Sequence, residues 1–186
     1  RSAISRMLSE ARRKGIVEIH IQRPLRFDRV LEGELCRRFN LRSAHVVVWR
    51  KDDDEALRHY LGLAAARVMR DLLTKTTSLG MTWGTTVTAT VDALEALNVR
   101  VGQVVQLVGA LGAHALPYDA RALVQRLAAA LGGEAVYLSA PFIVETPELA
   151  RSLLDSQSIR EAIEMGRRCD VALVGVGSTS PEYSSL

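Results

Sequence analysis

The sequence predicts an α/β fold in which a parallel sheet is flanked by helices. Between residues 78 and 174, short and almost wholly apolar segments alternate with longer segments of helical periodicity. Near-continuous apolar strands are typical of parallel sheets, because helices cover both faces. Glycine, serine or threonine follows most of the apolar segments, as expected where a strand ends and the chain turns into a helix.

Composition and length place few restrictions on function. The 186 residues are 48% hydrophobic and 24% charged, which suits one globular domain with a complete core and a small appendage. No apolar run approaches the ~18 residues that span a bilayer, and no apolar signal-peptide core follows the first residues. The chain begins with Arg1 rather than methionine, which predicts a fragment of a longer protein. Cys36 and Cys169 are isolated, and isolated cysteines are typical of reduced thiols in a cytosolic protein.

Residues 1–23 are predicted to form a separate unit. Within residues 2–14, apolar side chains recur every three or four positions, and Ser2 and Gly15 are suitable residues to begin and end a helix. Residues 17–21 then alternate between apolar and polar side chains, as a half-buried strand does. Pro24 interrupts this pattern, so the domain boundary is predicted between residues 1–23 and 24–186.

This leading unit is also basic. Residues 1–14 contain four arginines and one lysine but only one carboxylate, Glu10, whereas the net charge of the whole chain is only +3. A basic terminus on a nearly neutral body indicates a polyanion as the partner of that terminus.

Periodicity divides the larger unit into alternating helices and strands. Helices are predicted over residues 28–39, 55–74, 85–97, 119–131 and 147–167, the last in two pieces that meet near Ser156. Strands are predicted over residues 45–49, 78–83, 103–108, 135–138 and 170–174.

Four of the predicted strand ends indicate a common binding crevice. Residues 83–86, 109–112, 139–141 and 175–178 are rich in small, flexible or hydroxyl-bearing residues. In open α/β sheets, ligands bind beyond the carboxyl ends of the strands. Four such ends along one edge indicate a ligand site more strongly than any one of them does.

The segment over residues 79–86, Leu-Gly-Met-Thr-Trp-Gly-Thr-Thr, is the most specific of these ends. A glycine turn at Gly84 leads into a helix that begins with Thr85 and Thr86, so free backbone N–H groups and hydroxyls point to one place. Such a place suits an anion, most often a phosphate. The alternative is an ordinary strand-to-helix turn that is capped by threonine. Trp83 is expected in the core, with stacking on a ligand as the alternative.

Five segments resemble the SorC-type (SorC/DeoR-like) sugar-binding transcriptional regulators of bacteria. They occur in the family's order, and they lie at residues 5–19, 79–86, 105–109, 137–141 and 170–177. The resemblance implies a cytoplasmic regulator with an effector domain like the sugar-phosphate isomerase and deaminase group, preceded by the end of a winged helix-turn-helix. It also implies that the family's effector domain continues beyond Leu186.

The resemblance assigns an effector site that binds a phosphorylated sugar. By position, the phosphate would bind to Gly84, Thr85 and Thr86. Five further residues would line the sugar, namely Gly109, Gly112, Gly175, Gly177 and Ser178. Ala110 stands where relatives often have a second glycine. No catalytic residue, metal ligand or cofactor is predicted.

The resemblance also implies double-stranded operator DNA as a partner and a dimer or tetramer as the assembly, with no membrane association. Residues 1–14 would form the recognition helix, and its first residues, Arg1, Ser2, Ser5 and Arg6, would reach the bases. A basic dimerisation helix is the alternative for this segment.

A sugar-phosphate isomerase-like enzyme is the alternative for the whole chain. Isomerisation needs a general base close to the sugar carbon. Asp170 is predicted at the wrong end of its strand, and Glu145 is the one carboxylate that the sequence places at the binding edge. The absence of a paired acid and base favours binding without turnover.

Overall fold

The computed structural model describes residues 3–14, 25–50, 53–111 and 118–178. Seven helices and four strands lie in these ranges. The helices are α1 (Ala3–Arg13), α2 (Arg29–Phe39), α3 (Asp54–Leu72), α4 (Thr85–Glu95), α5 (Ala120–Leu131), α6 (Pro147–Asp155) and α7 (Gln157–Arg167). The strands are β1 (Ser78–Met81), β2 (Gln103–Gln106), β3 (Glu134–Val136) and β4 (Val171–Leu173). Among the described helices, none combines the length and the apolar character that crossing a bilayer requires.

The four strands form one parallel sheet in the order β3-β2-β1-β4. This confirms the predicted fold class and the four predicted strands beyond residue 77. Met81 at the end of β1 pairs with Gln106 at the end of β2 and with Leu173 at the end of β4. The three strands therefore end at the same level, and the turns that follow them meet at one edge.

Helices cover both faces of the sheet. Leu79, Met81 and Val104 belong to a core that they share with apolar residues of α3, α4 and α5. On the other face, α7 packs so closely that a side chain at Gly166 would contact Leu107 and Val105. Between α4 and α5, the guanidinium group of Arg126 donates to Asp92 at 2.6 Å and to both carboxylate oxygens of Glu95 at 3.1 and 2.9 Å.

The helical segment over residues 147–167 is confirmed in two pieces. Thr146 caps α6 through a hydrogen bond from the Leu149 N–H group to its hydroxyl, and Pro147 occupies the first turn, where proline is tolerated. The break falls at Ser156, whose extended backbone separates the two helices.

The predicted strand over residues 45–49 is wrong. This segment forms a single antiparallel bridge, between Val47 and Phe27. The Val46 N–H group donates to the carboxylate of Glu32 at 3.1 Å rather than to a neighbouring strand. The segment is rich in β-branched residues, but its pairing with the neighbouring segment is too short to form a strand.

Two large apolar side chains of α2 are exposed to solvent, since Val30 and Phe39 are 72% and 60% exposed. The side chain that α2 buries is Glu32, which accepts from Arg29 at 2.7 Å as well as from Val46. Desolvation raises the pKa of Glu32, but these hydrogen bonds and the positive charge of Arg29 outweigh it. The net pKa of this carboxyl lies below its usual value.

The leading unit is described in part. The predicted helix over residues 2–14 is observed as Ala3–Arg13, whereas Arg1, Ser2 and the predicted strand over residues 17–21 lie outside the described residues. Glu10 forms ion pairs with Arg13 at 3.7 Å and with Lys14 at 3.0 Å.

Helix α3 crosses α4 at very short range. Gly62 is buried in α3, and a β-carbon at this position would overlap the backbone carbonyl of Ala89 in α4. Glycine in a helix normally costs about 1 kcal/mol relative to alanine. At this position the glycine permits a close approach that no other residue allows.

We expect Gly62→Ala to lower the free energy of unfolding by about 1–3 kcal/mol, since overpacking outweighs the gain in helix propensity. Gly33→Ala in α2 is the matched control, because nothing lies within 4 Å of a β-carbon there. This control should be neutral or should stabilise by up to ~1 kcal/mol. Urea unfolding of both variants measures the difference, and equal effects would contradict the close crossing.

Candidate functional site

The strand order places a topological switch point at the carboxyl end of β1. The chain proceeds from β1 to β2 and β3 on one side, whereas β4 joins β1 on the other side. In open parallel sheets, such a switch point leaves a crevice beyond the strand ends, and ligands bind there. The turn that contains Gly84 connects β1 to α4 and therefore lies at this switch point.

Gly84 has a backbone conformation that only glycine adopts readily. Its φ and ψ angles are 143° and 153°, a region that is closed to residues with a β-carbon. The Gly84 carbonyl accepts the first hydrogen bond of α4, from the Thr88 N–H group at 2.8 Å. The preceding N–H groups of the first turn therefore remain free to bind a ligand.

The threonines of α4 divide into two pairs. The hydroxyls of Thr88 and Thr90 donate to the helix carbonyls of Gly84 and Thr86, both at 2.9 Å. Thr85 and Thr86 are exposed at the open end, and neither caps the helix through its side chain. The N-cap position of α4 is thus occupied by Gly84, which has no side chain, rather than by a threonine.

The end of β4 lies against the same turn. The Gly175 N–H group donates to the hydroxyl of Thr82 at 3.3 Å, and a β-carbon on Gly175 would contact Val87 of α4 and the Trp83 carbonyl. The structure thus brings Gly175 together with Gly84, as the shared crevice requires. Gly177 and Ser178 follow on the exposed segment beyond β4.

The ends of β2 and β3 are packed together with little space between them. A β-carbon at Gly109 would overlap the backbone of Pro141, and Ala110 exchanges backbone hydrogen bonds with Ala140 and Phe142, both at 2.9 Å. Gly109 is buried, and the absence of a side chain at this position permits the close approach to Pro141. Gly112 lies outside the described residues.

Trp83 connects the two sides of the edge. Its ring lies 5.9 Å from that of Phe142 in an edge-to-face arrangement with an interplanar angle of 89°. Trp83 is half-buried at the edge rather than enclosed in the core, where it was expected. The pair places aromatic surface at the carboxyl edge of the sheet.

Three polar residues of this edge were not predicted as site residues. Gln106 is 2% exposed at the end of β2, and Arg121 at the start of α5 places its guanidinium 4.3 Å from the ring centre of Tyr137. Glutamine at the carboxyl end of a buried parallel strand is the signal that would have indicated Gln106. Nothing in the local pattern indicates the Arg121–Tyr137 contact, which joins two elements through the fold.

The charged groups at the other edge are separate from this crevice. Lys75 precedes β1 and, with Arg100, Val101 and Gly132, lines an open cleft of about 440 Å³ at the amino ends of the strands. Lys75 therefore lies at the opposite edge of the sheet from Gly84. Asp170 is also at this edge, where its carboxylate accepts from the Ser78 N–H group at 2.8 Å.

Comparison with known protein families shows which family this chain belongs to. The sequence profile of the sugar-binding domain family Sugar-bind matches residues 23–186. The full-length sorbitol operon regulator SorC of Klebsiella pneumoniae aligns with 94% of this chain and 56% of its own, at 29% identity and a TM-score of 0.75. This chain belongs to the Sugar-bind family of sugar-binding domains.

Two further regulators show the same likeness. The deoxyribonucleoside regulator of Bacillus subtilis is 28% identical over 182 residues, which are 98% of this chain and 58% of the relative. The probable sor operon regulator of Shigella flexneri covers 81% of this chain and 63% of its own at 27% identity, with a TM-score of 0.73. The present chain thus spans somewhat more than half the length of these SorC-type relatives.

We expect Gly84→Ala to destabilise the fold by about 1–3 kcal/mol, because alanine does not tolerate the observed backbone angles. Unfolding temperatures with and without inorganic phosphate also test whether an anion binds at this turn, because a ligand that binds only the folded state raises the unfolding temperature. Gly33→Ala is the control, since that glycine lies in α2, has open space around it and has no left-handed backbone. Thermal unfolding with and without phosphate compares the two, and identical behaviour would contradict the requirement for glycine at residue 84.

Proposed function

We propose that this chain is the effector domain and the end of the DNA-binding domain of a bacterial transcriptional regulator of carbohydrate genes, and that its effector is a phosphorylated sugar. The observation that carries the proposal is the open first turn of α4 at the switch point. The family membership supports it, and so do the relatives, whose names refer to deoxyribonucleosides and sorbitol.

The first turn of α4 is suited to a phosphate group for three reasons. Free N–H groups, the exposed hydroxyls of Thr85 and Thr86 and the positive end of the helix dipole converge there. Gly84 carries no side chain that would keep a ligand from the backbone. The sugar would then extend toward Gly109 and Gly112 on one side and toward Gly175, Gly177 and Ser178 on the other.

The division into residues 1–23 and 24–186 belongs to this proposal. The family match begins at residue 23, which supports a boundary near Pro24. The preceding α1 would be the recognition helix of a winged helix-turn-helix, with Arg1, Ser2, Ser5 and Arg6 at the end that reaches the bases. Arg6 is exposed and has no ion-pair partner among the described residues.

We further propose that the effector is bound without turnover. The sequence offered Glu145 as the base of an isomerase, and this residue is exposed on the turn before α6 with no recorded partner in the described part of the chain. The relatives are named as regulators. ³¹P NMR of sugar phosphates incubated with the protein tests this, since conversion to an isomer would establish the enzymatic alternative.

We expect Thr86→Val to weaken binding of phosphorylated sugars at least tenfold, because it removes a hydroxyl from the phosphate turn at nearly constant volume. A hydrogen bond to a charged group contributes about 1.5–3 kcal/mol, and tenfold corresponds to about 1.4 kcal/mol. Thr76→Val is the matched control on the opposite edge, where the Thr76 hydroxyl contacts only that of Thr74.

Calorimetry with ribose 5-phosphate, glucose 6-phosphate and sorbitol 6-phosphate, each beside its unphosphorylated form, provides the measurement. The complete gene product should bind at least one phosphorylated form more tightly than its free sugar. Equal affinity for the two forms, or equal effects of the two threonine substitutions, would remove the phosphate role from α4.

For α1, we expect Arg6→Ala to relax operator specificity by about 1–3 kcal/mol at one base pair, if the arginine contacts guanine. Lys14→Ala should instead weaken binding to all DNA sequences alike and reduce the salt dependence. Lys14 is at the other end of α1, where its ion pair with Glu10 is exposed and easily exchanged for a DNA phosphate.

Binding of the full-length variants to operator and scrambled duplexes over a range of salt concentrations distinguishes these effects. Light scattering of the same variants reports whether the expected dimer or tetramer persists. Loss of self-association with unchanged operator affinity in Arg6→Ala and Ser5→Ala would establish the dimerisation alternative instead.

A further inference from the structure

Gln106 leaves one buried oxygen without a hydrogen-bond donor. The side chain is 2% exposed, and its amide nitrogen donates to the Val108 carbonyl at 2.8 Å. Because a carbonyl only accepts, this bond fixes which end of the amide is nitrogen. The amide oxygen faces the other way and has no partner. A buried acceptor in this state is unfavourable, since it has lost water and gained no donor.

Strand alternation gives the face on which Gln106 lies. Val105 and Leu107 point toward α7, because both would contact a side chain at Gly166. Val104 and Gln106 therefore point to the opposite face, and Val104 indeed belongs to the core that α4 and α5 share. Gln106 lies on the face from which α4 begins.

The hydrogen bond also gives the direction in which the side chain runs. Val108 lies two residues further toward the carboxyl edge, so the amide extends along the strand toward that edge. Gln106 pairs in register with Met81, three residues before Gly84. The amide group of Gln106 therefore lies at the carboxyl edge of the sheet, on the same face as α4 and close in register to the turn that precedes this helix.

A second buried acceptor occurs at the same edge. Asp119 immediately precedes α5, a position where aspartate ordinarily accepts from the first N–H groups of the helix. It makes no such bond here, and its Oδ1 atom is buried without a partner. Two unpaired acceptors therefore lie on the β2 side of the crevice, whereas the α4 turn presents donors.

We propose that the Gln106 amide oxygen accepts a hydrogen bond from a hydroxyl group of the bound sugar and so makes Gln106 a specificity-determining residue. The proposal rests on the proposed function, since the phosphate must first be held by the α4 turn. A polyhydroxy ligand with one phosphate matches the arrangement: its anionic end meets donors, and its hydroxyl groups meet acceptors. Asp119 supplies a second acceptor for the same class of ligand.

Gln106→Met tests the proposal, because methionine fills a similar volume and has no amide oxygen. Gln103→Met is the matched control at the other end of β2, where the Gln103 amide donates to the hydroxyl of Ser78 at 2.7 Å. The complete gene product and both variants are titrated with the three sugar phosphates named above. Inorganic phosphate serves as the probe that has no sugar hydroxyl groups. Its binding is measured by its effect on the unfolding temperature.

Gln106→Met should weaken the tightest-binding sugar phosphate at least tenfold and leave the response to inorganic phosphate within twofold. Gln103→Met should change neither by more than twofold. Unchanged sugar-phosphate affinity in Gln106→Met would overturn the proposal, and so would equal losses for sugar phosphate and inorganic phosphate, which indicate a structural role. Wild-type protein that binds phosphorylated and free sugars equally would overturn the proposed function itself, an outcome distinct from both.

Discussion

Hydrogen bonding of β1 to a parallel strand on each side positions the rest of the molecule. All four residues of β1 are buried, and Met81 is level with the last residues of both neighbours. The turns after β1, β2 and β4 therefore reach one edge together, although they are far apart in the chain. Since α4 begins three residues after β1, its open end is fixed at the switch point by the same pairing.

The polarity of this edge follows from the elements that meet there. Helix α4 contributes N–H groups and hydroxyls, which suit an anion, whereas Gln106 and Asp119 contribute oxygens that still need donors. Folding alone does not favour such groups, because each buried polar atom left unpaired costs free energy. Among the described residues, buried side-chain atoms without a partner are the oxygens of Gln106 and Asp119 at this edge and the indole nitrogen of Trp49.

Burial on both faces made the strands of the sheet predictable from the sequence, since parallel strands consist of continuous apolar runs. The same composition was misleading at residues 45–49, where Val46 donates to Glu32 and only Val47 has a strand partner. Gly84 was predictable because glycine before two threonines has a local meaning. The strand order and the unpaired oxygen of Gln106 were not, because they depend on which distant residues become neighbours, and periodicity reports burial but not the identity of a neighbour.

The close crossing at Gly62 gives the open first turn of α4 a rigid connection to the rest of the chain. Helix α4 carries the open turn at its start, and its backbone at Ala89 leaves no space against α3. A displacement of α4 therefore has to move α3 as well, because packed interiors transmit strain rather than absorb it. Near its start, α3 carries Tyr60, which packs against Trp49 at 5.2 Å between ring centres. Trp49 in turn ends the segment that is hydrogen-bonded to residues 26–32. Contacts therefore run from α4 through α3 and Trp49 to residues 26–32.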